Sequence, residues 1–109
     1  MAIKSPLKLQ WFHILLSLAD GDLHGYAIQR AVLERTGGEM RLWPAMLYRS
    51  LATLAEEGLI DMAEIPADTT PDERRRYYSL TTEGKTRLKA EAELMSGWVE
   101  AARSAERQH

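Results

Sequence analysis

The 109-residue chain predicts a mainly α (α+β) domain, in which three short helices and a two-stranded hairpin precede one long helix. Three observations carry this. Apolar residues recur at helical spacing in four separate stretches, around 11–18, 28–32, 47–54 and 88–102. Glycines stand where helices must stop, at Gly37-Gly38 and at Gly58. Two strand-like runs, Leu59 to Ile65 and Arg76 to Leu80, flank a polar loop containing Pro66 and Pro71.

The elements follow in order. Residues 6–19 read as a first helix, with Pro6 suited to its first turn. Trp11, Ile14, Leu15 and Leu18 form one stripe on it, and Phe12, Leu16 and Ala19 a second. A helix apolar on most of its circumference needs cover from more than one side, so it is expected to meet a partner chain. Asp20-Gly21-Asp22 is turn chemistry. The second helix spans about Gly25 to Thr36, with Ile28, Ala31, Val32 and Arg35 on one side. Met40 to Trp43 is compatible with a very short strand. The third helix runs from Pro44 to about Glu57: Leu47, Leu51 and Leu54 face inward, and Ala45, Tyr48, Arg49, Ala52 and Thr53 outward. The last helix starts at Thr81 or Thr82, where a hydroxyl can cap and Glu83 suits the positive helix end, and reaches about Arg107. Its Leu88, Ala92, Met95, Val99 and Ala102 are spaced 4-3-4-3, the seam of two helices lying side by side. Trp98 flanks that seam. A second chain is expected there, the other possibility being that the helix folds back on its own domain.

Composition bounds what such a chain can do. With 45% apolar and 28% charged residues it is an ordinary globular domain, divided on this reading into residues 1–80 and a final helix, 81–109. No apolar run approaches the ~20 residues that cross a bilayer. The N-terminal Met-Ala-Ile-Lys-Ser-Pro has no signal-peptide character, so no membrane association and a cytoplasmic location are expected. The absence of cysteine excludes disulfides, thiol nucleophiles and cysteine-ligated metals. His13, His24 and His109 are scattered, so neither a metal nor another cofactor is expected. No serine has a histidine and an acid at motif spacing, and no glycine-rich phosphate loop is present; an enzyme is not expected. A domain this small gains from a second copy, with Trp11, Trp43 and Trp98 as the large contributors to burial.

The net charge of −2 conceals an uneven distribution. Asp61 to Glu73 holds five acids and no base, whereas Arg74 to Lys89 holds six bases against Glu83 alone. A nearly neutral chain can therefore still carry a basic footprint, although a solvated face accounts for the same charges.

Three helices with a hairpin after the third make a winged helix-turn-helix, here extended by a C-terminal dimerisation helix. In that arrangement the N-terminal part of the third helix enters the major groove while the second braces on the backbone. Particular residues sharpen this: His24-Gly25-Tyr26, Leu47-Tyr48-Arg49-Ser50-Leu51, Glu57-Gly58-Leu59-Ile60, and Arg75-Arg76-Tyr77-Tyr78-Ser79-Leu80-Thr81-Thr82-Glu83-Gly84. In this order, over about residues 11–88, they closely resemble the PadR-like family of transcriptional regulators, in its short subclass with a single final helix. The resemblance implies a homodimeric DNA-binding repressor whose first and last helices pair the subunits, here through Trp11, Leu15, Leu88, Ala92, Met95, Val99 and Ala102. It implies DNA contacts at Tyr26, Tyr48 and Arg49, with packing as the other role open to each tyrosine. Arg49 suits a phosphate or the O6 and N7 of guanine.

Two features depart from the family pattern. Ala45 and Met46 stand where a glycine and a threonine are usual; Met46 cannot hydrogen-bond a phosphate but can touch a thymine methyl. Pro44 pre-sets the backbone and can press on the sugar–phosphate wall. The wing tip is acidic, at Asp68, Asp72 and Glu73, so DNA contact is expected at the wing base, at Arg74 and Arg75, with Arg76 turned away by strand alternation. One of Tyr77 and Tyr78 is expected in the core for the same reason. The expected DNA is a palindromic operator. Relatives of the short subclass have a hydrophobic space at the dimer centre. Phe12, Met95, Trp98 and Val99 could line one here for a hydrophobic or aromatic small-molecule effector, or simply fill the interface. The alternative function is a dimeric winged-helix protein-interaction module without DNA binding, favoured by the acidic wing. DNA binding requires Arg49, Arg74 and Arg75 on one face, joined by Lys4, Lys8 and Arg41 if these lie alongside.

Overall fold

The core is assembled from the inward stripes of the three short helices. Ile14 and Leu15 of α1 (Leu9–Ser17), Ile28 and Val32 of α2 (Gly25–Arg35), and Leu47, Leu51 and Leu54 of α3 (Pro44–Glu56) are essentially inaccessible to solvent. Each such side chain contributes about 1.5–3 kcal/mol by leaving water. The computed structural model describes residues 3–65 and 75–107, with residues 64, 65 and 75 in backbone only. Strand β1 (Leu23–His24) precedes α2, β2 (Ile60–Ile65) follows α3, and β3 (Arg75–Leu80) leads into α4 (Thr82–Arg107). The sheet has the order β1-β3-β2 and is antiparallel throughout; Tyr78 pairs with Leu23 on one side and Met62 on the other. Of the two wing tyrosines, Tyr78 is the buried one, beneath the helices, and Tyr77 is half-buried.

Three local expectations are corrected. Pro6 lies outside α1, because Ser5 and Leu7 are drawn away: the Ser5 hydroxyl donates to the Glu91 carboxylate of α4 and Leu7 is buried in the core. Met40 to Trp43 is not a strand; the Leu42 carbonyl accepts a hydrogen bond from Gln29 Nε2 at 2.6 Å, and the sheet's third strand is Leu23–His24 instead. Arg35 keeps its expected side of α2: its residue is exposed, and its guanidinium reaches Ser17 Oγ of α1 at 3.3 Å. Only Trp11 of the three tryptophans packs against the core; Trp43 and Trp98 are open to solvent.

A clip of backbone and hydroxyl groups sets where α4 begins. Thr81 Oγ1 accepts from the Gly84 amide at 2.9 Å and donates to the Gly58 carbonyl at 2.7 Å. Gly84 is required here, since a Cβ would fall 2.1 Å from the Leu59 carbonyl oxygen. The first turns of α4 then lie on α1, with Leu88 against the core. Glu91, only 1% exposed, is the anchor. Burial would raise its pKa, but the Ser5 hydroxyl, the Arg87 guanidinium (Nε at 3.1 Å), the Leu7 amide and the Arg87 charge together hold it below the ordinary value. Beyond this point α4 leaves the domain. A 26-residue helix is about 39 Å long, and the chain extends 61 Å along its major axis.

Candidate nucleic-acid interface

The outward face of α3 is held in place from behind. Leu47, Leu51 and Leu54 bury its inner side, leaving Pro44, Ala45, Tyr48, Arg49 and Ala52 exposed along the outer one. Pro44 occupies the first helical turn, where its missing N–H costs no hydrogen bond. Met46 differs from this set: it is half-buried against the subunit's own core, so much of its side chain is withdrawn from the outer face. Arg49 projects freely at the surface, and its carbonyl accepts from Thr53 Oγ1 at 3.1 Å.

Tyr48 meets the start of α2. A Cβ on Gly25 would stand 2.8 Å from the Tyr48 hydroxyl oxygen and 3.1 Å from Cε1 and Cζ. The ring therefore lies over a position that has room only for hydrogen, and the phenol, 49% exposed, keeps its outer side toward solvent. Tyr48 thus packs on the start of α2 while about half of it stays exposed. Gly25 is the residue that sequence reasoning missed; the adjacency of His24, Gly25 and Tyr26 was legible, but not that Tyr48 crosses over it.

The remaining groups cluster around α2's first turn. His24 is the cap, its Nδ1 accepting from the Ala27 amide at 3.2 Å. Its ring stacks on Tyr26 (6.4 Å, 9°) and meets Tyr77 edge-on (5.6 Å, 87°). Tyr26 is 61% exposed and the Arg30 guanidinium lies 6.0 Å from its ring centre. At the wing, Arg76 is exposed and bonds Tyr78. Burial pushes the Tyr78 hydroxyl upward against the pull of Arg76, with Tyr48 close enough to add to the rise, so Tyr78 stays neutral at physiological pH. Arg75 pairs through its backbone with Ile65, and its side chain lies outside the described portion; Arg74 lies outside the described residues altogether.

The residues expected to pair two chains divide. Ala92, Val99 and Ala102 are exposed along α4, with Leu94 and Trp98 beside them, and Met95 is half-buried. Trp11 is half-buried on α1, and Leu88 packs on the core. Leu15 is corrected: it is wholly inside the subunit's own core and has no surface left for a partner. Phe12 is half-buried with its ring edge-on to His13, while Trp98 and Val99 stand open, so these residues do not enclose a space within one chain. A concavity of about 340 Å³ lies elsewhere, at the base of α4, lined by Leu59, Thr82, Glu83, Thr86, Arg87 and Ala90. Among the described residues no group of His, Asp and Glu is placed to hold a metal ion, and no helix is long and apolar enough to cross a membrane.

Residues 14–90 match the PadR-like family of transcriptional regulators. This chain belongs to that family. PadR-like proteins are regulators rather than enzymes, in keeping with the lack of catalytic spacing in the sequence. A transcriptional regulator from Clostridium thermocellum superposes with a TM-score of 0.75 at 26% identity, over 87% of each chain. PadR of Bacillus subtilis, crystallised with operator DNA, superposes with a TM-score of 0.68 at 28% identity, over 76% of this chain and 46% of that one. An uncharacterized 37.1 kDa protein of a Streptomyces fradiae transposon is 40% identical over 83 residues, 76% of this chain. The chain spans 22% of that relative's length. The winged helix with a following long helix is thus the fold of this PadR-like chain.

Proposed function

We propose that this PadR-like regulator is a homodimeric repressor that binds a palindromic operator through α3 and is released by a small hydrophobic or aromatic effector. The observation carrying the DNA contact is the outer face of α3, where Ala45, Tyr48 and Arg49 are exposed together beside Tyr26. A small-residue surface with one guanidinium and two phenols suits a groove: the alanine lets the backbone approach, the arginine reads guanine or phosphate, and the hydroxyls donate to phosphate. The operator complex of Bacillus subtilis PadR supports carrying this role to the same fold here. The sequence adds Arg74 and Arg75 as further candidates for this contact.

Dimerisation rests on α4, whose outer half exposes Leu94, Trp98 and Val99 beyond the turns that pack on α1. Pairing of these helices would set two reading heads about 34–36 Å apart, one turn of DNA. Phe12, Met95, Trp98 and Val99 of two copies would then close the space for the effector. A cytoplasmic location is the one in which such a regulator meets its DNA.

The test is selection of duplexes from a random-sequence pool by the purified protein, followed by titration at fixed salt. A palindromic consensus is expected. Arg49→Ala should weaken binding by about 1–3 kcal/mol if it reads a base. A pool that yields no enriched sequence would favour the interaction-module reading instead.

A further inference from the structure

The entry into α3 carries a pair of side chains that the operator contact above leaves without a role. Leu42 is fully buried and its carbonyl is held by Gln29 Nε2, so the middle of this segment is pinned to α2. Its neighbours are thereby turned outward. Trp43 is 62% exposed, and the exposed Arg41 places its guanidinium 5.3 Å from the centre of the indole. Trp43 is also the N-cap of α3, with extended backbone and no side-chain cap bond. Serine, threonine, asparagine or aspartate is the usual choice there. This chain gives up that cap and presents a large flat apolar ring at the end of its reading helix, beside a cation.

We propose that Trp43 and Arg41 grip the DNA backbone: the indole covers the deoxyribose edge at the wall of the major groove, and Arg41 pairs with a neighbouring phosphate. This rests on α3 entering the groove N-terminus first, for then the residue flanking the helix start meets the wall and not the base edges. The chemistry is complementary on both counts. Deoxyribose offers an apolar C–H surface to the ring, and the phosphate offers charge to the guanidinium, which the ring already orients from one side. The contact adds affinity without reading sequence.

The full chain is titrated against duplexes selected by the wild type and against a scrambled duplex, by fluorescence anisotropy over a range of salt. Arg41→Ala should weaken binding on every duplex and lower the salt slope by about one per subunit. Trp43→Ala should weaken binding on every duplex alike, and covering about 60 Å² of indole corresponds to roughly tenfold per subunit. A form keeping Trp43 as its sole tryptophan (Trp11→Phe, Trp98→Phe) should lose acrylamide quenching as DNA is added. Thermal melts confirm folding of each variant. Wild-type binding with both variants unchanged in affinity and slope, or with Trp43 quenching unaltered, overturns the grip. A Trp43→Ala loss confined to the selected sequence also overturns it, the indole then being a base reader. If the wild type binds no duplex, the operator reading itself fails and this one with it.

Discussion

Gly25→Ala perturbs α3 from behind its proposed DNA-facing side, and its size can be worked from the contact it creates. The new methyl would lie 2.8 Å from the Tyr48 hydroxyl oxygen, where ordinary contact begins at 3.4 Å, so the phenol must retreat by about 0.6 Å. Tyr48 is half exposed and has solvent to retreat into, so the clash is relieved by ring motion rather than by unfolding. The strain is offset in part by the 0.4–1 kcal/mol or so that a compatible Gly→Ala change contributes through the unfolded chain. The melting temperature is therefore expected to move by only a few degrees. A hydroxyl-to-phosphate bond holds only over a narrow range of distance and angle, about 2.5–3.0 Å, and that displacement takes the hydroxyl off its position. Its loss costs about 1.5 kcal/mol per subunit, roughly tenfold each, and as much as a hundredfold for two reading heads. Anisotropy titration at fixed salt measures this. The decisive comparison is a double-mutant cycle with Tyr48→Phe: if Gly25→Ala acts through the hydroxyl, it adds little once the hydroxyl is gone. Full additivity of the two changes would refute the reasoning.

Two further outcomes are expected. Val99→Glu places a charge on the exposed seam of α4; it should leave the monomer's melting behaviour intact, shift the sedimenting species to half the mass, and abolish tight operator binding, since each head alone retains only its own contacts. Glu91→Gln should destabilise the fold by about 1–3 kcal/mol through loss of the charge facing the half-buried Arg87. The pH dependence has a definite sign. A carboxylate whose folded pKa is depressed contributes its full stabilisation above the unfolded value, near 4.5 here, and loses it as pH falls through the folded value. Melting of the wild type should thus fall more steeply below pH 4.5 than melting of Glu91→Gln, and parallel curves would show that the Ser5–Glu91–Arg87 link does not hold α4 to the domain.

Much of this was legible in the residues themselves. Leu47, Leu51 and Leu54 at helical spacing announce both the inner face of α3 and, by subtraction, the outer face that bears Tyr48 and Arg49. Thr81 and Glu83 mark the start of α4, and alternation in β3 required one of two adjacent tyrosines to turn inward. These are local rules, set by backbone periodicity and by the hydrogen-bonding needs of helix ends. They hold wherever the nearest neighbours in sequence are also the nearest in space.

Contacts between distant residues obey no such rule. That Leu15 rather than Leu16 is lost to the subunit core, that the Leu42 carbonyl is taken by Gln29, and that Ser5 is bound to Glu91 depend on how the helices cross. The sequence by itself therefore determined the four helices and the hairpin, their order and the face of α3 that looks outward, because periodicity is written residue by residue, whereas the short strand Leu23–His24 was not legible. Only the tertiary structure decided that Gly25 lies under Tyr48 and that Trp43 stands open at the start of α3, because each depends on two segments being brought together by a core that neither of them encodes alone.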